Sequence, residues 1–429
     1  MVKRVLMIAF HYPPMRGSSG IQRTLKFAQY LPRSDWQPII LSAHPRAYQH
    51  TSGDQIAEID SGLVVRRSCA FDTARHFSLF GSYPALLALP DRWISWWLSA
   101  VPAGLRLIRL HRPDVIWSSY PIATAHLIAL TLHRLTGIPW IADQRDPMTD
   151  LDYPLDLRTR RLHHWIENKI VQHCAGLVCT THGAASRYQQ RFAAIAPAAA
   201  TRIRLIENGF DEDNFSSAEA DLEDPMPAPG HEQHCFRLLH SGIIYLSERD
   251  PSALFAALFI LLHSAEITPS NFHLTLRATG HDGQLLGMLK KYGIDTIVTL
   301  APALPYRAAL TEMLETDGLL LLQAANCNAQ IPAKLYEYLR AGRPILALTD
   351  PLGDSAAKLR SVGIDTIGRL DSQEDIVACL RRFLHLSRQA KAPVASASSI
   401  AQNSRAARTI ELASLLDQVC HLEKKTCKP

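Results

Sequence analysis

The segment that decides the fold is "GLLLLQAANCNAQIPAKLYEYLRAGRPILAL", residues 318–348. An apolar run leads into polar residues 325–330, then an amphipathic run opens at Pro332, and a second apolar run follows Gly342. Proline suits the first helical position because its missing N–H would have no acceptor there. Glycine suits the position just after a helix. The segment therefore predicts a buried strand, a loop, a helix and a second buried strand.

The same alternation runs along the rest of the chain. Apolar runs such as "RVLMIAF" (4–10) and "PDVIWSS" (113–119) alternate with amphipathic runs such as "ATAHLIALTLHRLTG" (123–137). Alternation of this kind indicates parallel strands joined by crossover helices. The expected fold class is therefore α/β, with two doubly wound Rossmann-like domains that face each other across a cleft. Ligands of such sheets bind outside the carboxyl ends of the strands.

A change in composition divides the chain. Residues 211–235 are acidic, rich in proline and poor in large apolar side chains, which predicts a linker. The chain of 429 residues is long enough for two cores. We expect an N-terminal Rossmann-like domain over 1–210 and a C-terminal Rossmann-like domain over 236–398. Residues 399–429 would form a last helix that packs back on the N-terminal domain, and a tail.

Composition narrows the class of protein. A hydrophobic fraction of 47% and a net charge of +5 describe a globular protein that is too weakly basic for nucleic-acid binding. The charge suits anionic small molecules or loose contact with an anionic membrane. Eight scattered cysteines without a CxxC pair indicate reduced thiols in a cytosolic protein. The N-terminal apolar run is too short for a signal peptide, and no run is long enough to span a membrane.

A glycine-rich loop follows the first predicted strand, in "FHYPPMRGSSGIQR" (10–23). Its residues Gly17, Ser18, Ser19 and Gly20 permit tight curvature and close approach of a ligand. The loop leads into a helix N-terminus, where amides and the helix dipole favour a phosphate. It matches neither GxGxxG nor the P-loop pattern. The alternative is a plain turn between strand and helix.

A second anion site is predicted at the helix that opens at Pro332. The amides of Ala333 and Lys334 have no acceptor within the helix, and Lys334 adds a positive charge. Glu337 lies one turn later on the same face, where its carboxylate can accept hydrogen bonds from the hydroxyls of a ribose. The alternative is an ordinary i,i+3 ion pair between Lys334 and Glu337 on a solvated helix.

A third basic position lies in "HSGIIYLSERDP", residues 240–251. We expect a strand to end at Gly242 and Arg249 to precede the next helix. A guanidinium there could hold a diphosphate with two hydrogen bonds. The alternative is a surface ion pair of Arg249 with Glu248 or Asp250.

Two further groups of side chains are read first as packing residues. His126 lies on an apolar helix, where a hydrogen-bonded core histidine is expected. Trp93, Trp96 and Trp97 in "DRWISWWLSAV" would share one helix face. Core packing is the first interpretation for the tryptophans. A patch that faces a membrane or binds an acceptor is the second.

Five segments, in this order, resemble the retaining GT-B glycosyltransferases of the family 4 type. They are "YPPMRGSSGIQRTLKFAQYLP", "IPWIADQRDPM", "IENGFDEDNF", "LHSGIIYLSERDPSALFAAL" and "IPAKLYEYLRAGRPILAL". The similarity is to the branch that builds bacterial surface polysaccharides and decorates natural products. It implies a hexosyl-type transfer from a nucleotide-diphosphate sugar to an acceptor hydroxyl.

The resemblance also implies roles by position. The ribose-binding glutamate of the family falls on Glu337, its basic diphosphate ligand on Arg249, and its glycine loop on residues 17–20. Many relatives have a glutamate that contacts the donor sugar where this chain has Ala329, so that contact would come from Gln330 or Asn328. The backbone that meets the diphosphate and sugar falls on Gln330, Ile331, Pro332, Ala333 and Lys334.

In "ADQRDP" (142–147) the resemblance places acceptor-side polar residues. The candidates are Asp143, Arg145 and Asp146, of which Asp146 could accept the proton of the acceptor hydroxyl. The alternative is an Asp–Arg network that caps the next helix.

The expected chemistry follows from charge. The leaving diphosphate becomes more negative as the glycosidic bond breaks, and Arg249, Lys334 and the two helix N-termini would stabilise it. We expect no divalent metal and no cofactor besides the nucleotide-sugar donor, with UDP as the first guess. Expected partners are a glycan, a lipid-linked sugar or a small molecule as acceptor, and the inner face of a membrane. A non-hydrolysing 2-epimerase and a non-catalytic binding scaffold are the alternatives; Ala329 favours the scaffold.

Overall fold

The computed structural model describes residues 2–17, 19–149, 153–193, 201–222 and 235–426. The chain forms two compact units. Unit 1 comprises Met1–Asn208 and Arg405–Pro429, and unit 2 comprises Gly209–Ser404. Both units are built from parallel strands with intervening helices, as the alternation of apolar runs predicts.

Within its described residues, unit 1 contains a seven-stranded parallel sheet in the order β3-β2-β1-β4-β5-β6-β7. The pairing of β1 with β4 aligns Val5 with Val115. Apolar side chains on both faces of the sheet are buried under helices, as expected for an all-parallel sheet. The strands are β1 (Lys3–Ile8), β2 (Trp36–Ala43), β3 (Val64–Ser68), β4 (Val115–Ser119), β5 (Trp140–Arg145), β6 (Gly176–Cys179) and β7 (Ile203–Leu205). The helices are α1 (Ser19–Tyr30), α2 (Thr73–His76), α3 (Trp96–His111), α4 (Ala123–Thr136), α5 (Leu157–His173) and α6 (His182–Ala193).

Within its described residues, unit 2 contains a six-stranded parallel sheet in the order β10-β9-β8-β11-β12-β13. The strand order reverses between β8 and β11, and ligands of such sheets bind beyond the strand ends at this point. The strands are β8 (Phe236–Ser241), β9 (Phe272–Arg277), β10 (Val298–Ala301), β11 (Gly318–Leu322), β12 (Ile345–Leu348) and β13 (Ile367–Gly368). The helices are α7 (Glu212–Glu219), α8 (Leu246–Arg249), α9 (Ser252–His263), α10 (Asp282–Tyr292), α11 (Tyr306–Glu315), α12 (Ala333–Ala341), α13 (Asp354–Ser361), α14 (Gln373–Arg388) and α15 (Ala397–Ala401).

The segment 318–348 forms the predicted strand, loop, helix and strand. β11 and β12 pair in parallel with Leu319 opposite Ile345, and Gly342 ends α12 in the left-handed region, with φ 65°. The start of the helix differs from the prediction in one respect. Pro332 is the residue before the first helical one, because its ψ of 133° is extended. Its carbonyl already accepts a hydrogen bond from the amide of Leu335 at 2.9 Å.

The expectation of a linker over 211–235 fails for its first part. Residues Glu212–Glu219 form α7, in which Phe215 and Ala218 are buried in the core of unit 2. Arg340 forms ion pairs with the two glutamates at the ends of this helix. The acidic composition suggested a linker because the apolar residues are few, but they fall on one helix face. Residues 223–234 of the expected linker lie outside the described residues.

The last helix, expected within residues 399–429, is preceded by a separate short helix. A short helix, α15, ends at Ala401, and α16 (Arg405–Thr426) begins after a break. Within this break, the carbonyl of Asn403 accepts a hydrogen bond from the amide of Phe210 at 3.2 Å. In α16 the side chains of Leu412 and Leu416 are buried in a cluster of unit 1 that also includes Val5.

Among the described residues, no helix is both long enough and apolar enough to cross a membrane.

Candidate functional site

The carboxyl end of β8 in unit 2 brings Gly242 against Lys334. Gly242 has a φ of 117°, which favours glycine, and a Cβ built on it would lie 2.7 Å from the Lys334 ammonium nitrogen. A side chain at this position would therefore displace the lysine as well as strain the backbone. The predicted positions Gly242 and Lys334 thus come together, although they are far apart in the chain.

His240, which sequence reasoning missed, holds the lysine in place. Its Nδ1 donates to the carbonyl of Leu320 at 2.9 Å, which leaves Nε2 to accept from Lys334 Nζ at 3.3 Å. Burial, followed by the charge of Lys334, lowers the pKa of His240 well below its usual range, so the ring is neutral. The available signal was a histidine near the end of the mainly apolar strand "FRLLHS", two residues before Gly242.

The side chain of Lys334 loses its proton near neutral pH. Burial, followed by repulsion from Arg249, lowers the pKa of Lys334 to about 7, against an opposing effect of Glu337. At neutral pH the free site therefore holds a partly deprotonated lysine. An anion that binds beside it would favour the charged form.

Arg249 is the last residue of the short helix α8. Its Nη1 donates to the carbonyl of Ile243 at 2.6 Å, and its guanidinium lies over the ring of Tyr245 at 5.6 Å. The alternative partner Asp250 instead accepts from the amide of Ser252 at 2.9 Å. Arg249 is near enough to Lys334 to lower the pKa of that lysine, so unit 2 places two basic side chains together.

Glu337 is half-buried one turn along α12 from Lys334. Its Oε1 accepts a hydrogen bond from the hydroxyl of Tyr306 at 2.8 Å. Tyr306, the first residue of α11, was not among the predicted site residues. The carboxylate is therefore oriented by a neighbouring helix and has a partner other than Lys334.

The side chain of Gln323 stabilises the loop that precedes α12 by hydrogen bonds to its backbone. Its Nε2 donates to the carbonyls of Cys327 and Gln330, both at 2.9 Å. Asn328 Nδ2 donates to Asp350, which follows β12, at 2.6 Å, and this bond joins the loop to the end of that strand. Of the two residues expected to replace the missing glutamate at Ala329, Asn328 uses its amide nitrogen in this bond, and its buried Oδ1 has no hydrogen-bond partner among the described residues. Ile331 and Pro332 follow the loop, and Ile331 is buried.

In unit 1, the glycine-rich segment is partly helical. Gly17 has the predicted left-handed backbone, with φ 91°. Ser19 and Gly20 are not in the loop, because α1 begins at Ser19. A Cβ on Gly20 would overlap the guanidinium of Arg145 and lie 2.9 Å from Nδ1 of His11. Gly20 is thus needed for the close approach of Arg145. Ser18 lies outside the described residues.

Asp143 forms a buried pair with Arg23. The two hydrogen bonds measure 2.8 and 2.9 Å, and both side chains are almost fully buried. Arg23 also donates to the carbonyls of Ile206 and Glu207. Asp143 therefore pairs with an arginine outside the segment 142–147, and the pair ties the end of β5 to α1 and to the segment after β7.

Asp146 is the half-buried carboxyl at the end of this segment. Burial raises its pKa above the ordinary value, and the charge of Arg145 partly opposes that effect. Arg145 adopts a left-handed backbone, with φ 55°, and its carbonyl accepts from the hydroxyl of Thr180 at 2.8 Å. A carboxyl with a raised pKa beside a fixed cation is a reasonable proton acceptor.

Glu167 supports the backbone that follows Asp146, a role that sequence reasoning missed. Its buried carboxylate accepts from the amides of Met148 and Thr149 at 3.1 and 3.2 Å and from the hydroxyl of Tyr188 at 2.7 Å. It also pairs with Arg191 at 2.8 Å. An acidic residue between the apolar positions of α5 was the available signal.

His126 is a packing residue, in agreement with the first interpretation. The ring is fully buried, with Nδ1 at 2.8 Å from the hydroxyl of Ser118 and Nε2 at 3.1 Å from Oε1 of Gln144. Burial lowers the pKa of His126 to about 4, so the ring is a neutral part of the core.

The three tryptophans also belong to the core of unit 1. Trp96 is fully buried and donates to the hydroxyl of Ser68 at 2.8 Å. Trp93 packs on the ring of Phe10 at 4.9 Å, and Trp97 is partly buried. Core packing, the first interpretation, therefore describes Trp96, and Trp93 and Trp97 pack against the same core while partly buried.

The part of the chain that the structure describes has no cluster of three or more His, Cys, Asp or Glu side chains that could hold a metal ion.

Comparison with known proteins gives the class of the fold. Residues 20–209 match the family model described as a glycosyl transferase 4-like domain. No curated protein sequence matches the chain. The similar solved structures include α,α-trehalose 6-phosphate synthase from Burkholderia multivorans, at 13% identity and a TM-score of 0.67, which covers 100% of this chain and 99% of that one. Sucrose-phosphate synthase from Thermosynechococcus elongatus has 11% identity and a TM-score of 0.64, with 99% of each chain covered.

A third similar structure is HepE from Anabaena in complex with UDP and glucose. It has 12% identity and a TM-score of 0.62, and the match covers 97% of this chain and 100% of that one. These identities are low, so the similarities establish the fold. Together with the two parallel sheets, they confirm the predicted α/β fold of two Rossmann-like domains and the resemblance to GT-B glycosyltransferases.

Proposed function

We propose that this protein, which carries a glycosyl transferase 4-like domain and the GT-B fold, is a retaining, hexosyl-type glycosyltransferase that needs no divalent metal. It moves a sugar from a nucleotide-diphosphate donor to an acceptor hydroxyl. The observation that carries the proposal is the arrangement around the start of α12. Lys334 and Arg249 provide positive charge there, and Glu337 lies one turn further along the helix.

The donor side of the proposal rests on chemistry that matches a nucleotide diphosphate. The amides of Ala333 and Lys334, the first two residues of α12, have no acceptor within the helix, and the helix dipole adds positive potential. Lys334 and Arg249 supply the charge that the leaving diphosphate requires, a task that metal-dependent enzymes give to a bound cation. Glu337, oriented by Tyr306, can accept hydrogen bonds from the ribose hydroxyls. UDP is the proposed nucleotide, and the complex of HepE with UDP and glucose supports this choice.

The acceptor side of the proposal rests on unit 1. Asp146 accepts the proton of the attacking hydroxyl. Arg145, which packs closely against Gly20, favours the ionised form of Asp146 and so partly opposes the effect of burial on its pKa. The acceptor is a glycan, a lipid-linked sugar or a small molecule, in the synthesis of a surface polysaccharide, a glycolipid or a natural product. The protein works in the cytosol, and a lipid-linked acceptor would bring it to the inner face of the membrane.

The comparisons do not favour the two alternatives, a non-hydrolysing 2-epimerase and a non-catalytic scaffold. The test that separates all three is incubation of the purified protein with UDP-sugars, with and without acceptor. Transfer or slow donor hydrolysis supports the proposal. Epimerisation without acceptor would establish the first alternative, and nucleotide binding without any turnover the second. A thermal-shift panel of UDP, GDP, ADP and dTDP identifies the base, since a ligand of the native state raises Tm.

Replacement of Glu337 by Gln is expected to weaken UDP binding by about tenfold to hundredfold, because hydrogen bonds to a charged acceptor contribute roughly 1.5–3 kcal/mol. Isothermal titration calorimetry with UDP measures the effect. Tyr306→Phe is the matched control, since it removes the orienting hydroxyl and keeps the carboxylate. We expect that control to lose only a few-fold in affinity. Wild-type affinity in Glu337→Gln would remove the ribose assignment.

Binding of UDP at pH 8 is expected to take up about one proton, because the pKa of Lys334 is about 7 in the free protein and a bound diphosphate favours the ammonium. Free Lys334 is mostly neutral above pH 7 and charged below it, so uptake declines as pH falls through 7. The heat of binding in buffers of different ionisation enthalpy counts the protons. Lys334→Met should abolish the uptake, and a buffer-independent heat in the wild type would contradict the assignment.

A further inference from the structure

Lys334 carries a nitrogen that the proposed transfer reaction does not use as a nucleophile. The residue is partly exposed, and its side chain ends beside the backbone that follows β8. Gly242 has no side chain there, and a Cβ at that position would lie 2.7 Å from Lys334 Nζ and 3.3 Å from its Cε. The end of the lysine therefore lies against bare backbone, in space that a side chain at position 242 would fill.

His240 orients the lysine nitrogen. Because its Nδ1 donates to the carbonyl of Leu320 at 2.9 Å, its Nε2 can only accept, and Lys334 Nζ lies 3.3 Å away. A neutral amine has two N–H groups and one lone pair. When one N–H donates to His240, the lone pair points away from that ring. The imidazole thus fixes the amine and leaves its lone pair for attack on an electrophile.

The groups that face Lys334 favour its neutral form. Burial, followed by the charge of Arg249, lowers the pKa of Lys334 to about 7, and Glu337 opposes this effect. The third facing group, His240, is neutral because its own pKa is well below the usual range. An ordinary lysine has a pKa of about 10.4 and stays protonated at neutral pH. Desolvation beside a second cation is a general way to make a lysine nucleophilic.

The surroundings of the amine also suit an anionic reagent. Arg249 is close enough to lower the pKa of Lys334. One guanidinium nitrogen, Nη1, donates to the carbonyl of Ile243 at 2.6 Å, and a guanidinium has five N–H groups in all. The amides of Ala333 and Lys334 have no acceptor within α12. A phosphate group held by these donors would lie next to a neutral amine.

A nucleophile beside phosphate-binding groups selects acyl phosphates among small electrophiles. In an acyl phosphate the electrophilic carbonyl carbon is separated from phosphorus by a single bridging oxygen. A phosphate bound at Arg249 therefore brings this carbon close to the amine, an advantage of proximity. A phosphate monoester has no such carbon, and a simple acid anhydride has no phosphate to be held.

We propose that Lys334 is a site of acylation by acyl phosphates, with the phosphate held by Arg249 and the start of α12. The lysine nitrogen attacks the carbonyl carbon, the bond from this carbon to the bridging oxygen breaks, and the phosphate leaves with the proton that the nitrogen loses. The resulting amide carries no charge. Acylation therefore removes a cation that stabilises the leaving diphosphate and switches off sugar transfer, a consequence that rests on the proposed function.

The experiment compares two reagents on the wild-type protein at about pH 8: acetyl phosphate, and acetic anhydride, which has no phosphate. Peptide mass spectrometry gives the rate of acetylation of Lys334 relative to that of Lys291, an exposed lysine of the same unit. With acetic anhydride we expect a preference for Lys334 of about tenfold, because more of it is neutral. With acetyl phosphate the preference should be about tenfold larger still, because the bound phosphate positions the carbonyl carbon.

Arg249→Met is the matched variant, because it removes the phosphate ligand and alters the amine equally toward both reagents. The additional preference for acetyl phosphate should disappear in it. Equal preferences for the two reagents in the wild type would overturn the proposal, and so would a Lys334 that stays unmodified. Neither of these two results depends on the folding of a variant.

Excess UDP separates this inference from the proposed function. If UDP binds at this site, it should protect Lys334 and leave Lys291 reactive. Acetylation of Lys334 that UDP does not slow would refute the donor site and leave the acylation site standing. An unmodified Lys334 in a protein whose Tm is raised by UDP would refute the acylation site alone.

Discussion

Replacing Lys334 or Arg249 by methionine will lower the rate of sugar transfer by roughly 10²–10³-fold each, because each removes a positive charge that stabilises the leaving diphosphate in the transition state. Both cations adjoin the start of α12 in unit 2, and Arg249 is close enough to lower the pKa of Lys334. Methionine keeps the length and packing of the side chain. Initial rates with UDP-sugar and acceptor measure the effect.

The double variant sharpens this test. Two residues that act on the same diphosphate should show non-additive losses. Lys291→Met changes an exposed lysine of the same unit and serves as the control, with an unchanged rate expected. A wild-type rate in either single variant, at unchanged Tm, would mean that the charges at this helix start do not act on a leaving group.

Replacing Asp146 by Asn will lower transfer by roughly 10²–10⁴-fold and leave UDP affinity unchanged, because loss of a general base acts on proton transfer alone. The raised pKa of Asp146 gives the pH dependence. The ionised form is the active one, so activity should rise with pH through a value above that of an ordinary carboxyl. This limb of the kcat/KM profile should be absent in the variant.

The asparagine substitution is isosteric, so a loss through unfolding would show in Tm and in UDP binding. Asp54→Asn changes an exposed carboxylate of the same unit and should behave as the wild type. Sugar transfer at the wild-type rate in Asp146→Asn would contradict this role, and so would an unchanged acid limb of its kcat/KM profile. Either result would assign the role of proton acceptor to the substrate's own phosphate.

Local patterns were enough to predict the fold. Strand and helix signals repeat within short windows, and segment 318–348 carried apolar runs, a proline before the helix and a glycine after it. The structure shows the predicted βαβ unit there. The same locality made Lys334 and Glu337 predictable as neighbours, because residues three apart share a helix face. The error at 211–235 arose because a short amphipathic helix with few apolar residues has the composition of a linker.

Contacts between distant segments were not predictable from those windows. His240 and Lys334 are 94 residues apart in the chain, and Arg23 and Asp143 are 120 apart. Nothing in either local pattern names the partner. Glu167 and Tyr306 were missed for the same reason, since their roles depend on backbone or side chains brought to them by other elements.

From the sequence alone came the alternation of strands and helices, the prediction of anion sites at two helix starts and the residue types that suit a nucleotide diphosphate. Tertiary structure alone decided which carboxyl, imidazole and ammonium groups meet, and which apolar side chains remain exposed. Trp96 and Phe80 are both large apolar side chains of unit 1, yet Trp96 is fully buried and Phe80 is 98% exposed. The physical reason is that apolarity favours burial of a side chain, but only the assembled neighbouring elements determine whether a surface is there to bury it.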